Sequence, residues 1–106
     1  MNPQTVPLAS IAHARAGDKG DTSIIMIAPY QADDFSQLAR VLSQEALAEH
    51  FGTDVEAVSV NWAPKLIAGS IVLRGILTGG VTRSHTVDPH GKTLSGHLLA
   101  MQVAWP

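Results

Sequence analysis

No cysteine occurs among the 106 residues, which excludes disulfides, thiolate metal sites and cysteine nucleophiles. Aromatic residues make up only 5% of the chain, so platforms for stacking bases are scarce. A formal net charge of -2 with no basic stripe argues against nucleic acid as a partner. No apolar run approaches the length of a membrane span, and Met1-Asn2-Pro3-Gln4 lacks the basic-then-apolar pattern of a secretory signal. The expectation is a cytoplasmic protein with no membrane partner. Neither Gly-x-x-x-x-Gly-Lys-Ser/Thr nor Gly-x-Gly-x-x-Gly appears, and no nucleophile elbow supports a Ser-His-Asp site. His13, His50, His85, His90 and His97 lack the short paired spacing of His-x-x-x-His. A spatial cluster of His13, His85 and an Asp is the one metal arrangement that this spacing leaves open. No metal and no cofactor are expected.

What the chain does have is one polar concentration, Ala12-His13-Ala14-Arg15-Ala16-Gly17-Asp18-Lys19-Gly20-Asp21-Thr22-Ser23, with apolar strand-like runs on both sides. Read as a loop, Gly17 and Gly20 permit sharp turning, and successive turn N–H groups form a nest for anions. Arg15 and Lys19 add positive charge, and Thr22 and Ser23 add hydroxyl donors. Asp18 and Asp21 oppose them, so internal pairing with some donors left over is the expectation. His13 and Arg15 share one face of the strand leading in, which suits the floor of a pocket. The competing reading is an ordinary turn, since Gly, Asp, Lys, Thr and Ser are common turn residues.

The length and the 45% hydrophobic content fit a single globular domain, residues 1–106. Leu8 to Ala14 reads as a first strand. Ile24 to Ala28 is apolar on both faces, the pattern of a strand covered on both sides. Phe35, Leu38, Ala39, Leu42 and Ala46 recur at helical spacing, with Asp33 or Asp34 as N-cap and Gly52 as stop. This predicts one helix from about Asp34 to His50, with His50 structural or solvent-facing. Val58, Val60 and Trp62 alternate as a strand with one apolar face. Pro64 suits a first helical turn. Leu66 to Leu77 is apolar nearly all round and reads as a short buried helix ending at Gly79-Gly80. A strand competes there because Ile71-Val72-Leu73 is β-prone. Arg74, the one charge in that run, would need a carboxylate if buried, with the loop aspartates as candidates. Val81 to Val87, the turn Asp88-Pro89-His90-Gly91-Lys92 and the alternation Leu99, Met101, Val103, Trp105 read as a hairpin and a last strand. Leu94 and Leu98 offer a helical turn instead. By layer rules this is an α+β fold, a mostly antiparallel sheet with two helices on one face.

Several of these segments carry a family resemblance. His13 through Ser23, Pro64-x-Leu66, Leu73-x-Gly75-x-Leu77-x-Gly79-Gly80-Val81 and Asp88-x-x-Gly91-Lys92 resemble the landmarks of the AtuA-like ferredoxin-fold domain. That is the small C-terminal domain of the acyclic terpene utilisation AtuA family, which also occurs as a separate short protein. The resemblance runs from about Leu8 to Val103. The chain departs at Asp21, where relatives often carry Asn, and at Ile67-Ala68-Gly69-Ser70, in place of an Asn-rich segment. The resemblance implies a ferredoxin-like sandwich and a small subunit working with a larger AtuA-type protein in acyclic terpenoid or branched acyl-CoA catabolism. A homo-oligomer and an anionic small-molecule ligand are also expected. On that reading His13 is the general acid–base candidate, because the ordinary imidazole titrates near neutrality. Arg15, Asp18, Lys19, Asp21, Thr22 and Ser23 line the substrate. The alternative is a non-catalytic interaction module, with the polar loop as a folded brace and 66–77 as a docking surface. A freestanding enzyme ranks third.

Overall fold

A computed structural model of the chain describes residues 4–75 and 93–105. The polar segment is no loop. Strand β2 (Ala12–Lys19) runs straight into a two-residue turn at Gly20-Asp21 and returns as β3 (Thr22–Pro29), with Lys19 opposite Thr22 and His13 opposite Ala28. Gly20 has φ +64 and Asp21 does not share the positive sign, the pattern of a II′ hairpin, whose twist matches that of its strands. One glycine in a tight turn therefore converts the expected nest into a β-ribbon. Gly17 lies within the ladder opposite Ile24.

After β3 the expected single helix is broken in two, α1 (Phe35–Val41) and α2 (Gln44–Phe51). The helical periodicity of the apolar residues continues across the break, so periodicity alone could not show it. Ser43 makes the break, because its Oγ accepts the Ala46 N–H at 3.1 Å and restarts the helix as N-cap, a local bond that competes with the helical ladder. Asp33 and Asp34 lie in a 3-10 turn and give α1 no side-chain cap. Gly52 closes α2 in the left-handed conformation, as expected.

Strand β4 (Val58–Ala63) leads through a 3-10 turn at Pro64–Leu66 into β5 (Ala68–Leu73). The segment read as a buried helix is thus a strand. The β-branched run Ile71-Val72 pairs with β3 on one side and β4 on the other, and that pairing decides the conformation. Helix α3 (Thr93–Leu99) and strand β6 (Gln102–Trp105) follow. Leu94 and Leu98 belong to the helical turn, and the last strand is shorter than the alternation predicts. The expected Gly79-Gly80 stop and the hairpin through Asp88–Lys92 lie outside the described residues. So do His85 and His90.

The main sheet has the order β2-β3-β5-β4 with every neighbouring pair antiparallel. Since β5 stands between β3 and β4, those two are parallel, and α1 and α2 make the crossover between them. Strand β1 (Gln4–Pro7) pairs with β6 as a separate two-stranded ribbon. Leu38, Leu47 and Leu98 from the helices and Leu42 at the end of α1 pack on Ile25, Ile27, Val58, Ile71 and Leu73 of one sheet face. Trp62 lies directly over Gly69, which it faces in the register, so a Cβ there would collide with the indole. The fold is α+β and ferredoxin-like, with one layer of helices on one sheet face.

Candidate functional site

Strand alternation sorts the polar segment by face. His13, Arg15 and Gly17 of β2 project outward and are exposed, while Ala12, Ala14 and Ala16 turn toward the core. Ser23 also turns inward and is fully buried, and its Oγ has no hydrogen-bond partner among the described residues. It therefore shares no site with His13 and Arg15. Asp21 sits in the hairpin turn, where it accepts the Thr22 hydroxyl at 3.2 Å. The backbone places Asp18 and Lys19 near that tip. Lys19 lies four residues beyond Arg15, about 13 Å at the usual rise of a strand. The ribbon spreads the expected constellation along its length: His13 and Arg15 at its base, Asp18, Lys19, Asp21 and Thr22 at its tip.

Around the base the ladder builds a surface. Arg15 stands opposite Met26, Met26 opposite Ser70 and Ser70 opposite Asn61, one row across all four strands. The adjacent row, nearer the end of β3, begins with His13 opposite Ala28 and ends with Ala68 opposite Ala63. Small side chains in that row leave an open depression of about 590 Å³ between His13 and Arg15 on one side and Met26, Ala28 and Ala68 below. Tyr30 borders it, its ring centroid 5.3 Å from that of His13. The Tyr30 backbone is tied down by N–H donation to the Ile11 carbonyl at 3.0 Å.

The charge pattern differs from expectation. Among the described residues no carboxylate pairs with Arg15, and no acid lines the depression. Arg74 is exposed and donates from Nη2 to the Glu56 carbonyl at 2.9 Å, so it needs none of the hairpin aspartates. The outer face at Arg15 therefore presents a cation that no described residue compensates, beside an apolar floor, a combination that suits an anionic group.

His50 and His97 form a second cluster, between α2 and α3. Their rings stack with centroids 4.4 Å apart. His50 Nε2 donates to the His97 carbonyl at 2.8 Å, and His97 Nε2 donates to the His50 carbonyl at 3.3 Å. A carbonyl only accepts, so each Nε2 carries a hydrogen. Burial lowers the His50 pKa, the bond to the His97 carbonyl works against that, and the His97 charge adds to it. This is the structural role expected of His50. Among the described residues no group of three or more His, Cys, Asp or Glu is placed to hold a metal.

Met26, Tyr30, Leu66 and Ile67 are the large hydrophobics that the described residues leave exposed; sequence reasoning missed Met26 and Tyr30, whereas Leu66 and Ile67 fall in the 66–77 segment offered as a docking surface. The run Ile24 to Ala28 is apolar on both faces, yet among the described residues only one face is covered by helices. The signal was available: a chain this small offers few helices, and the described ones form a single layer on one sheet face.

A model of the AtuA ferredoxin-like domain matches residues 6–104 of the chain. No curated protein and no solved structure matches it.

Proposed function

The chain belongs to the AtuA ferredoxin-like domain family, and on that premise we propose that it is the small subunit or accessory domain of an AtuA-type system, contributing an anion site to a larger partner. The outer face of β2 at Arg15 and His13 is the site. Arg15 holds a carboxylate or phosphate through charge-assisted hydrogen bonds. His13, whose side chain type is the ordinary proton carrier near neutral pH, is the acid–base group beside it. Acyclic terpenoid or branched acyl-CoA catabolism is the chemical setting that accords with the family. The single observation that carries the reading is the Arg15 guanidinium, which among the described residues has no carboxylate partner and stands at the edge of a depression lined by no described acid. At the hairpin tip, Asp21 and Thr22 extend the polar strip toward the partner.

A second reading is favoured by a different observation. Leu66 and Ile67 are exposed at the β4–β5 turn, and side chains of this kind serve interaction surfaces. In that reading the hairpin braces the sheet and the protein is a non-catalytic module.

The two readings separate on Arg15→Ala. The site reading predicts that carboxylate or phosphate raises the wild-type melting temperature by mass action, that Arg15→Ala abolishes the rise, and that the midpoint of the free variant stays within about 3 °C, because an exposed substitution is near-neutral. A brace predicts a lower midpoint and no ligand effect. The partner claim fails if the purified protein does not associate with the larger AtuA-type protein of the same source.

A further inference from the structure

The exposed hydrophobics are gathered in one place. Met26 is 45% exposed, Tyr30 59%, Leu66 75% and Ile67 38%. Met26 lies on the floor of the outer-face depression, and Tyr30 is packed by His13. Leu66 and Ile67 form the turn that joins Ala63 to Ala68, the far end of the alanine row. Met26 thus lines the depression, Tyr30 flanks it through His13, and Leu66 and Ile67 lie in the turn that runs into its Ala68 wall.

Ile67 adds an independent observation. Its φ is +53, the single positive value at a non-glycine among the described residues. A β-branched side chain in the left-handed region is a true outlier held at a cost, and such strain concentrates where ligands are clamped. Glycine or asparagine would satisfy this turn without that cost. Isoleucine instead keeps a large apolar side chain on the surface beside the depression.

We infer that the depression binds an amphipathic anion, an aliphatic carboxylate whose head meets Arg15 and whose chain crosses Ala28 and Ala68 toward Leu66 and Ile67. The inference rests on the anion reading of Arg15 and adds the ligand's second half. Four strands at the usual spacing give the row a span of about 14 Å, room for a medium-length chain lying flat. The volume falls within the range of small-molecule sites. A bare anion would leave the four hydrophobics without a role, and a purely apolar ligand would leave Arg15 desolvated with no partner.

The test is an amide-resonance titration of the intact protein with acetate, octanoate and octanol. Octanoate is expected to perturb residues 13–16, 26–30 and 66–69 and to bind at least about ten-fold more tightly than acetate, since each buried methylene adds to affinity. Arg15→Gln is expected to weaken octanoate by about ten-fold while leaving octanol unchanged. Ala68→Leu, which fills the floor from the solvent side, is expected to abolish octanoate binding and spare acetate. Its own spectrum reports whether it is folded. Acetate binding as tightly as octanoate would overturn the amphipathic ligand and leave the anion site standing. Octanol matching octanoate, with no effect of Arg15→Gln, would overturn the inference in favour of a protein-docking patch. Binding of none of the three would overturn both this inference and the anion site.

Discussion

At the scale of single residues, one strand's alternation separates chemistry that the sequence places side by side. Ser23 and Thr22 are neighbours in the chain, yet Ser23 is sealed in the core with an unpartnered hydroxyl while Thr22 bonds Asp21 in the open. Burying a hydroxyl without a partner is unfavourable. Ser23→Ala is therefore expected to leave stability unchanged or raise it by up to about 1 kcal/mol, read from urea unfolding. A loss of more than that would show that the hydroxyl has a partner. His13 and Arg15 were legible as a pair from their spacing of two. Their separation from Lys19 was not, because that depends on whether Gly17 turns the chain or stays in the ladder.

At the scale of elements, local capping and close packing decide what periodicity leaves open. Ser43 splits one predicted helix into α1 and α2. Ser43→Ala is expected to cost about 1 kcal/mol, measured by chemical denaturation. Gly69 shows the same kind of control within the sheet. Its neighbour Trp62 occupies the space that a Cβ would need, so Gly69→Ala is expected to destabilise by about 1–3 kcal/mol through overpacking. A neutral result would mean that the indole can move aside. The choice between helix and strand for the run after Pro64 could not be made from Leu66 to Leu77 alone. Its conformation is fixed by β3 and β4, which pair with it from distant parts of the chain, and single-segment propensity yields to such pairing.

At the scale of the whole molecule, the α+β class and the strand-helix order were readable from patterns of two and 3.6 residues. The open outer face was not, because it depends on how many layers the chain can supply. The helical layer is joined by the stacked His50 and His97. Burial holds the His50 pKa below its ordinary value of 6.5, so between those two values the unfolded chain binds more protons than the folded one. Stability therefore falls as pH drops through that window and levels off below the folded value. The melting temperature is expected to be lower at about pH 5 than at pH 7.5, with His50→Gln flattening the difference. A midpoint that rises on acidification would contradict the His50 account. The outer sheet face is where fold and proposed function meet, and Arg15 is the cation that lines its depression. The measurement that tests the account most directly is the affinity of wild type and Arg15→Gln for a single carboxylate, followed by amide resonances. The account predicts perturbations centred on residues 13–16 and 26–28 that the variant loses while its fold is kept. Binding at the hairpin tip, or binding indifferent to Arg15, would contradict it.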